Sequence, residues 1–342
     1  MHERDIFLWG SAAFLLGVGC ALAFSVSGVL IAYVSVFLAV LIAFSVHFRN
    51  MRFFAVCLFL LLLGVVRGVN GPIAFRFLDQ VRRPLESAGE SFGGNILRAL
   101  PEPHASYLAG VVIGARSTIP YDLKEAFRKT GTSHLIALSG YNVSVIIEYI
   151  GFVTRSLWFS LGGILFFVLA TGASSSVVRA AIMGGLVFFA RHYGYEYGAR
   201  NALSAAVVVM VFFSPPILLL DIGFQLSVAA TAGLIAFSGY FQKKLTLVPE
   251  KFRIRESLAT TLAAQLATLP IIFYYFGGVS LWSPVVNTLI LGTIPLTMFL
   301  GFLVGVAGYI SSYLSIVIAW PAYLILGYQL FIIRFFADIH VF

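Results

Sequence analysis

Apolar residues along this chain gather into long continuous runs, separated by short polar breaks. The runs lie near 6–24, 27–46, 51–69, 134–153, 156–171, 175–190, 201–214, 217–238, 257–276, 284–303 and 313–336. Continuous apolar stretches of about 17–22 residues suit α-helices crossing a bilayer, whereas a membrane barrel needs shorter segments that alternate apolar and polar. The pattern therefore predicts an all-α polytopic membrane protein with about eleven transmembrane spans. Tight breaks at Gly172 to Ser176, Ser214-Pro215-Pro216 and Gly277 to Pro284 punctuate it.

One sizeable extramembrane region interrupts the series. It divides the chain into a three-span region at 1–70, an intervening segment at 71–133 and a long helical region at 134–342. Mixed charge over 75–100, from Arg76, Asp79, Arg82, Arg83, Glu86, Glu90 and Arg98, predicts an amphipathic helix at the membrane interface. The apolar run 105–115 is too short to span and suits a re-entrant or interfacial helix. Arg116-Ser117-Thr118-Ile119-Pro120 ends it, and 121–129 reads as a short basic helix.

Composition agrees with this reading. Hydrophobic residues make up 60% of the 342 positions and charged residues 11%, where a soluble domain carries about a quarter charged. Charge also gives direction. His47, Arg49 and Arg52 follow the second run, Arg191, His192 and Arg200 the sixth, and Lys243, Lys244, Lys251, Arg253 and Arg255 the eighth. The loops between them at 172–176, 214–216 and 277–283 carry no charge. With all spans crossing, the three clusters share the cytoplasmic side, the N-terminus is cytoplasmic and the C-terminus outside. The segment 71–133 then faces outward. A net charge of +8 follows from that orientation alone, or from an anionic partner. The first run is long enough to remain as a span rather than a cleaved signal. Cys20 and Cys57 lie isolated in apolar runs, as packing residues do.

Several polar groups fall within the spans, where lipid offers them no water. Thr132-Ser133-His134-Leu135-Ile136-Ala137-Leu138-Ser139-Gly140-Tyr141-Asn142-Val143 opens the fourth. Read as one helix, it places Ser139 and Asn142 on a single face. Gly140 permits close approach of a neighbour or local unwinding, and small residues here equally suit a plain helix contact. Arg179 lies about one turn inside the sixth span, where an arginine costs roughly 2.5–3.5 kcal/mol. It either snorkels to the interface or faces a polar cavity suited to a phosphate. Asp221 is its natural ion-pair partner, with Gln225 four residues on. Thr261, Gln265 and Thr268 form another stripe, and Asn287 and Thr288 a further one. Polar stripes on several helices suit a water-filled path.

Enzymatic chemistry finds no support. The six histidines (2, 47, 104, 134, 192 and 340) show no metal-ligand spacing, and no nucleophile elbow, P-loop or dinucleotide glycine pattern occurs. No cofactor and no metal are expected.

Five stretches, in this order, resemble the competence domain of the ComEC family. They are Gly114-Ala115-Arg116-Ser117 with Leu123 to Gly131, then His134 to Val143, Ser175-Ser176-Val177-Val178-Arg179-Ala180, Asp221 to Ser227, and Ala264 to Pro270. The resemblance covers about residues 104–335. It implies an inner-membrane channel that passes single-stranded DNA into the cell during natural transformation. Implied partners are single-stranded DNA, the lipid bilayer, a DNA receptor outside, a cytoplasmic helicase or translocase, and a second copy in a homo-oligomer. Three departures stand out. Many members have His where Asn142 stands, an OB-like domain after the early spans, and a terminal metallo-β-lactamase-like domain. Residues 70–104 are too few for the former domain and the chain to Phe342 holds no motif of the latter, as in a minimal channel or a piece of a longer protein.

On this reading Ser139, Gly140, Asn142, Arg179, Gln225 and Gln265 line the substrate path. Arg116, Lys124, Arg128, Lys129 and His134 form the outer mouth, where counterion release favours phosphates. Two rivals differ in kind. A secondary transporter for a small anion would use Arg179 and Asp221 and show inverted repeats, of which the sequence holds none. A membrane enzyme acting on a lipid-linked substrate would need a base that the spans do not offer.

Overall fold

The computed structural model describes residues 3–23, 52–73, 76–115, 117–136, 138–154, 156–250 and 254–339. Among these every regular element is helical. The expected span at 27–46, and Arg116, His47, Arg49, Lys251 and Arg253, lie outside the described residues. Among the described residues five helical segments are long and apolar enough to cross a membrane: Ile6–Ala23, Ser133–Val153 (a 3₁₀ turn leading into an α-helix), Ile222–Lys244, Ile254–Phe276 and Ser312–Asp338. A sixth follows if the bent pair Ser283–Leu291 and Ile294–Ile310 is one span. That fits a multi-pass membrane protein and falls short of the eleven expected. Val56–Val69, Leu157–Ala170 and Ala199–Phe213 are apolar but shorter.

Two compact units emerge, and neither is continuous in sequence. The smaller comprises Met1–Phe75 and Tyr193–Val228. Its α1 (Glu3–Ala23) and α2 (Arg52–Val69) run parallel. Gly17 faces the Leu61 carbonyl, Gly64 the Phe14 carbonyl and Gly68 Val18, so the two backbones touch where side chains are absent.

The larger unit comprises Arg76–His192 and Ala229–Phe342. The expected amphipathic helix is α3 (Arg76–Ala99), and the expected short apolar one is α4 (His104–Ile113). Residues Ala105 to Val112 of α4 are all buried. A helix apolar all round belongs in a core, and α4 lies at the centre of this unit's largest apolar cluster, with Ile290, Ile294, Leu326 and Ile333. Thus α4 is wrapped by protein rather than spread on an interface. Helix α3 packs on α14 (Ile294–Ile310), seating Phe92 and Asn95 where a Cβ on Gly305 or Gly308 would collide with them. The basic helix α5 (Tyr121–Lys129) turns Leu123 and Phe127 inward.

Helices α6 (Gly140–Val153), α7 (Leu157–Ala170) and α8 (Ser175–Tyr193) come next along the chain. Gly140 meets Arg179, Ile147 meets Gly184 and Phe188 meets Gly151, so α6 and α8 run parallel. Helix α7 therefore carries the chain back between them, although it has only 14 residues.

Three boundaries depart from the hydropathy pattern. The run at 134–153 becomes helix only from Gly140, because Ser133–Leu135 is a 3₁₀ turn and Ser139 caps α6. In the smaller unit α9 (Ala199–Phe213) is followed by the short α10 (Ile217–Leu220), and a break at Asp221 precedes α11 (Ile222–Lys244), whose residues from Ala229 onward belong to the larger unit. After α12 (Ile254–Phe276), the run at 284–303 divides into α13 (Ser283–Leu291) and α14, bent by 53°. Pro295 favours a new start over continuing α13, since its ring crowds the carbonyl four residues back and it sits in the first turn of α14. Helix α15 (Ser312–Asp338) closes the chain.

Candidate functional site

The polar signature folds as a helix start. Ser139, in extended backbone, N-caps α6: its hydroxyl accepts from the Asn142 N–H at 3.3 Å and donates to Asn142 Oδ1 at 3.1 Å. The first amides of a helix have no internal partners, and this pairing satisfies one of them. Asn142 is 1% exposed, and its Nδ2 donates to the Val111 carbonyl at 3.0 Å. Val111 lies in the last turn of α4, where carbonyls are likewise orphaned. Asn142 thus joins the end of α4 to the start of α6. Gly114, at φ 77°, closes α4 in the left-handed conformation that favours glycine.

Arg179 of α8 lies against this junction. It is buried, and a Cβ at Gly140 would collide with its guanidinium. Its Nη1 donates to Thr231 Oγ1 of α11 and approaches Met183 Sδ at 3.6 Å. Glycine at 140 is what lets a guanidinium reach the positive end of the α6 dipole.

A second polar seam runs through the same unit. The Ser283 hydroxyl bonds the Gly131 carbonyl, Asn287 Nδ2 donates to Ser283 Oγ at 3.1 Å, and Gln265 Nε2 reaches the Ser280 carbonyl at 3.5 Å. Gln329 Nε2 donates to Thr293 and Thr297 at the bend between α13 and α14. Gln265 Oε1, Ser280 Oγ, Asn287 Oδ1 and Gln329 Oε1 are buried without a protein partner among the described residues. Each such atom costs about 1–3 kcal/mol in a dry interior, so the seam suits ordered water or a polar guest.

Ser139, Gly140, Asn142 and Arg179 therefore meet, although Ser139 does so as a cap and not as a member of a helical face. Gln265 belongs to the separate seam. Gln225 lies in the smaller unit and turns its amide onto the Leu218 and Leu219 carbonyls, closing the break before α11. Asp221 caps α11, its Oδ1 accepting from the Phe224 N–H at 2.8 Å. Of the expected mouth residues, Lys124 is half-buried while Arg128, Lys129 and His134 are exposed. Arg128 is held in a two-bonded pair with Glu125. That hydrogen bond keeps the Glu125 carboxyl below the usual carboxylate range. Among the described residues no group of His, Cys, Asp and Glu is placed to hold a metal ion.

Two residues escaped the sequence reading. Thr231, a lone hydroxyl in an apolar run, gives no signal of its own. Arg67 gave one, as a charge in the last turn of an apolar run. It is buried and donates to the Phe212, Phe213, Asn70 and Gly71 carbonyls of the smaller unit.

Comparison with known proteins places these residues in context. The family model described as Competence protein matches residues 111–342. ComE operon protein 3 of Bacillus subtilis (strain 168) is 29% identical over 198 residues, 56% of this chain and 25% of the relative. Uncharacterized protein YcaI of Escherichia coli (strain K12) is 26% identical over 247 residues, 67% of this chain and 32% of the relative. Competence protein ComA of Neisseria gonorrhoeae is 26% identical over 194 residues, 51% and 26% of the two chains. The chain thus spans about a quarter to a third of the length of these relatives. No solved structure matches it.

Proposed function

This chain belongs to the Competence protein family, and on that premise we propose that it serves competence as the membrane conduit through which one DNA strand enters the cell. The observation that carries the proposal is the seating of buried Arg179 against Gly140, at the capped start of α6. A forked cation beside a helix N-terminus is complementary to a passing phosphate. The seam through Gln265, Ser280, Asn287 and Gln329 supports the same reading, because uncharged polar groups let a polyanion move where fixed ion pairs would hold it. No covalent step is assigned to the chain.

The reading includes eleven spans, with the shorter apolar helices also crossing. The N-terminus is cytoplasmic, the C-terminus outside, and Pro72 to Gly131 outward. Ser139, Asn142 and Gln265 line the path, and Arg116, Lys124, Arg128, Lys129 and His134 its mouth. A receptor outside, a helicase or translocase inside, or a second copy of the chain completes the machine.

Uptake of labelled DNA by cells carrying Arg179→Leu tests the core of this. Loss of internal label with normal surface binding and normal protein abundance is expected. Wild-type uptake by that variant overturns the conduit. Topology is tested separately with Lys251→Cys, which should resist an impermeant thiol reagent in intact cells.

A further inference from the structure

The parallel pair α6 and α8 carries Gly140 and Arg179 at one end and opens into a cleft at the other. Ser144, Ile147, Glu148 and Phe152 of α6 line it together with Val187 and Arg191 of α8, around a volume of about 410 Å³. Glu148 lies five residues before the end of α6, within a segment apolar enough to cross a membrane. At 1.5 Å per residue it is about 7–8 Å from that end. A carboxylate at such a depth is costly unless something meets its charge. Glu148 and Arg191 border the same cleft, yet neither makes a hydrogen bond or ion pair with a described residue. The Ser144 hydroxyl is occupied, since it donates to the Gly140 carbonyl at 2.9 Å.

The cleft is therefore bipolar, with an anion on one helix, a cation on the other and apolar walls between. Phe152 on its rim is 92% exposed, and Trp158, five residues past the end of α6, is 79% exposed; exposed aromatic rings near the end of a span suit a membrane–water boundary. We propose that this cleft binds the headgroup of an ethanolamine phospholipid. The guanidinium of Arg191 takes the phosphate, the carboxylate of Glu148 takes the ammonium, and the acyl chains lie along Ile147, Phe152 and Val187. A glycerol headgroup brings a phosphate but no cation, and leaves Glu148 unmet. A choline headgroup brings the charge without an N–H donor.

Native mass spectrometry of the full chain, released from nanodiscs holding equal parts ethanolamine, choline and glycerol phospholipids, tests this. Wild-type protein should retain ethanolamine lipid about tenfold over glycerol lipid, the worth of one charge-assisted hydrogen bond. Glu148→Gln should erase that preference, and Arg191→Gln should weaken retention of all three alike. Free phosphoethanolamine should not displace the lipid. Equal retention of ethanolamine and glycerol lipids by the wild type overturns the proposal without reliance on any variant. Displacement by free phosphoethanolamine overturns the assignment to a lipid.

Discussion

Arg67 and Arg179 are nearly equally hidden, at 7% and 6% exposed, but their surroundings differ in kind. Arg67 donates to four main-chain carbonyls at the ends of α2 and α9, where the helix dipoles are negative, and lies 5.6 Å over the Phe212 ring. Arg179 faces a threonine hydroxyl, a methionine sulfur and the first residue of α6, where the dipole is positive. A guanidinium surrounded by carbonyls acts as a staple. One set against a helix start is, on the proposed reading, placed to meet a passing phosphate.

The sharpest test of that contrast exchanges each arginine for leucine. Arg67→Leu strands four carbonyls and should lower stability by about 2–5 kcal/mol, seen as reduced membrane abundance and a lower Tm in detergent. Arg179→Leu should leave abundance near normal and abolish transformation. If both variants deplete the protein, the contrast fails. Close behind, Gly140→Leu and Asn142→Leu should each abolish transformation, one by displacing the Arg179 guanidinium and the other by freeing the Val111 carbonyl. Asn142→His should transform, since an imidazole N–H can still donate to that carbonyl, and counting transformants decides it. Ser139→Ala removes the cap and should cost about 1 kcal/mol in thermal unfolding.

The smallest effect belongs to α5. Lys124→Ala and Lys129→Ala should each reduce the salt slope of single-stranded DNA binding by about 0.7 for every phosphate the lysine neutralises. Acid acts at the neighbouring pair. A carboxyl held below its ordinary range, as Arg128 holds Glu125, stabilises the fold above that range, and the contribution disappears as pH falls through the folded value. Binding by α5 should therefore be indifferent to pH near neutrality and rise only under acid, as Arg128 is released.

Hydropathy located the helices better than their ends. Ser139 was legible as a polar residue beside Gly140, but the 3.6-residue period does not distinguish a helical face from a cap. Only the extended backbone at 139 does so. Pro295 marked a break that the apolar run concealed, whereas Pro270 and Pro321 lie inside continuous helices. The burial of α4 was hidden because an element surrounded by protein and one surrounded by lipid are equally apolar. Arg179 was found because its charge is improbable in its span. Thr231 was not, because a hydroxyl in an apolar helix is ordinary. The meeting of α4 with α6 through Asn142 joins residues 31 apart in sequence, and no local pattern encodes it.

The seating of Phe92 and Asn95 on bare glycine backbone in α14 has a consequence for how this chain can change length. Asn95 also donates to the Gly305 carbonyl at 3.1 Å, so α3 is keyed to α14 in rotation as well as in distance. Inserting or deleting one residue turns everything beyond it by about 100° around the helix. Placed between Phe92 and Asn95, such a change would lift one key from its slot while leaving the other. Substitutions at Glu90 or Ser91 should pass unnoticed there, and a single-codon indel should not. Homologous chains can therefore grow or shrink before α3, but along this stretch they must keep count.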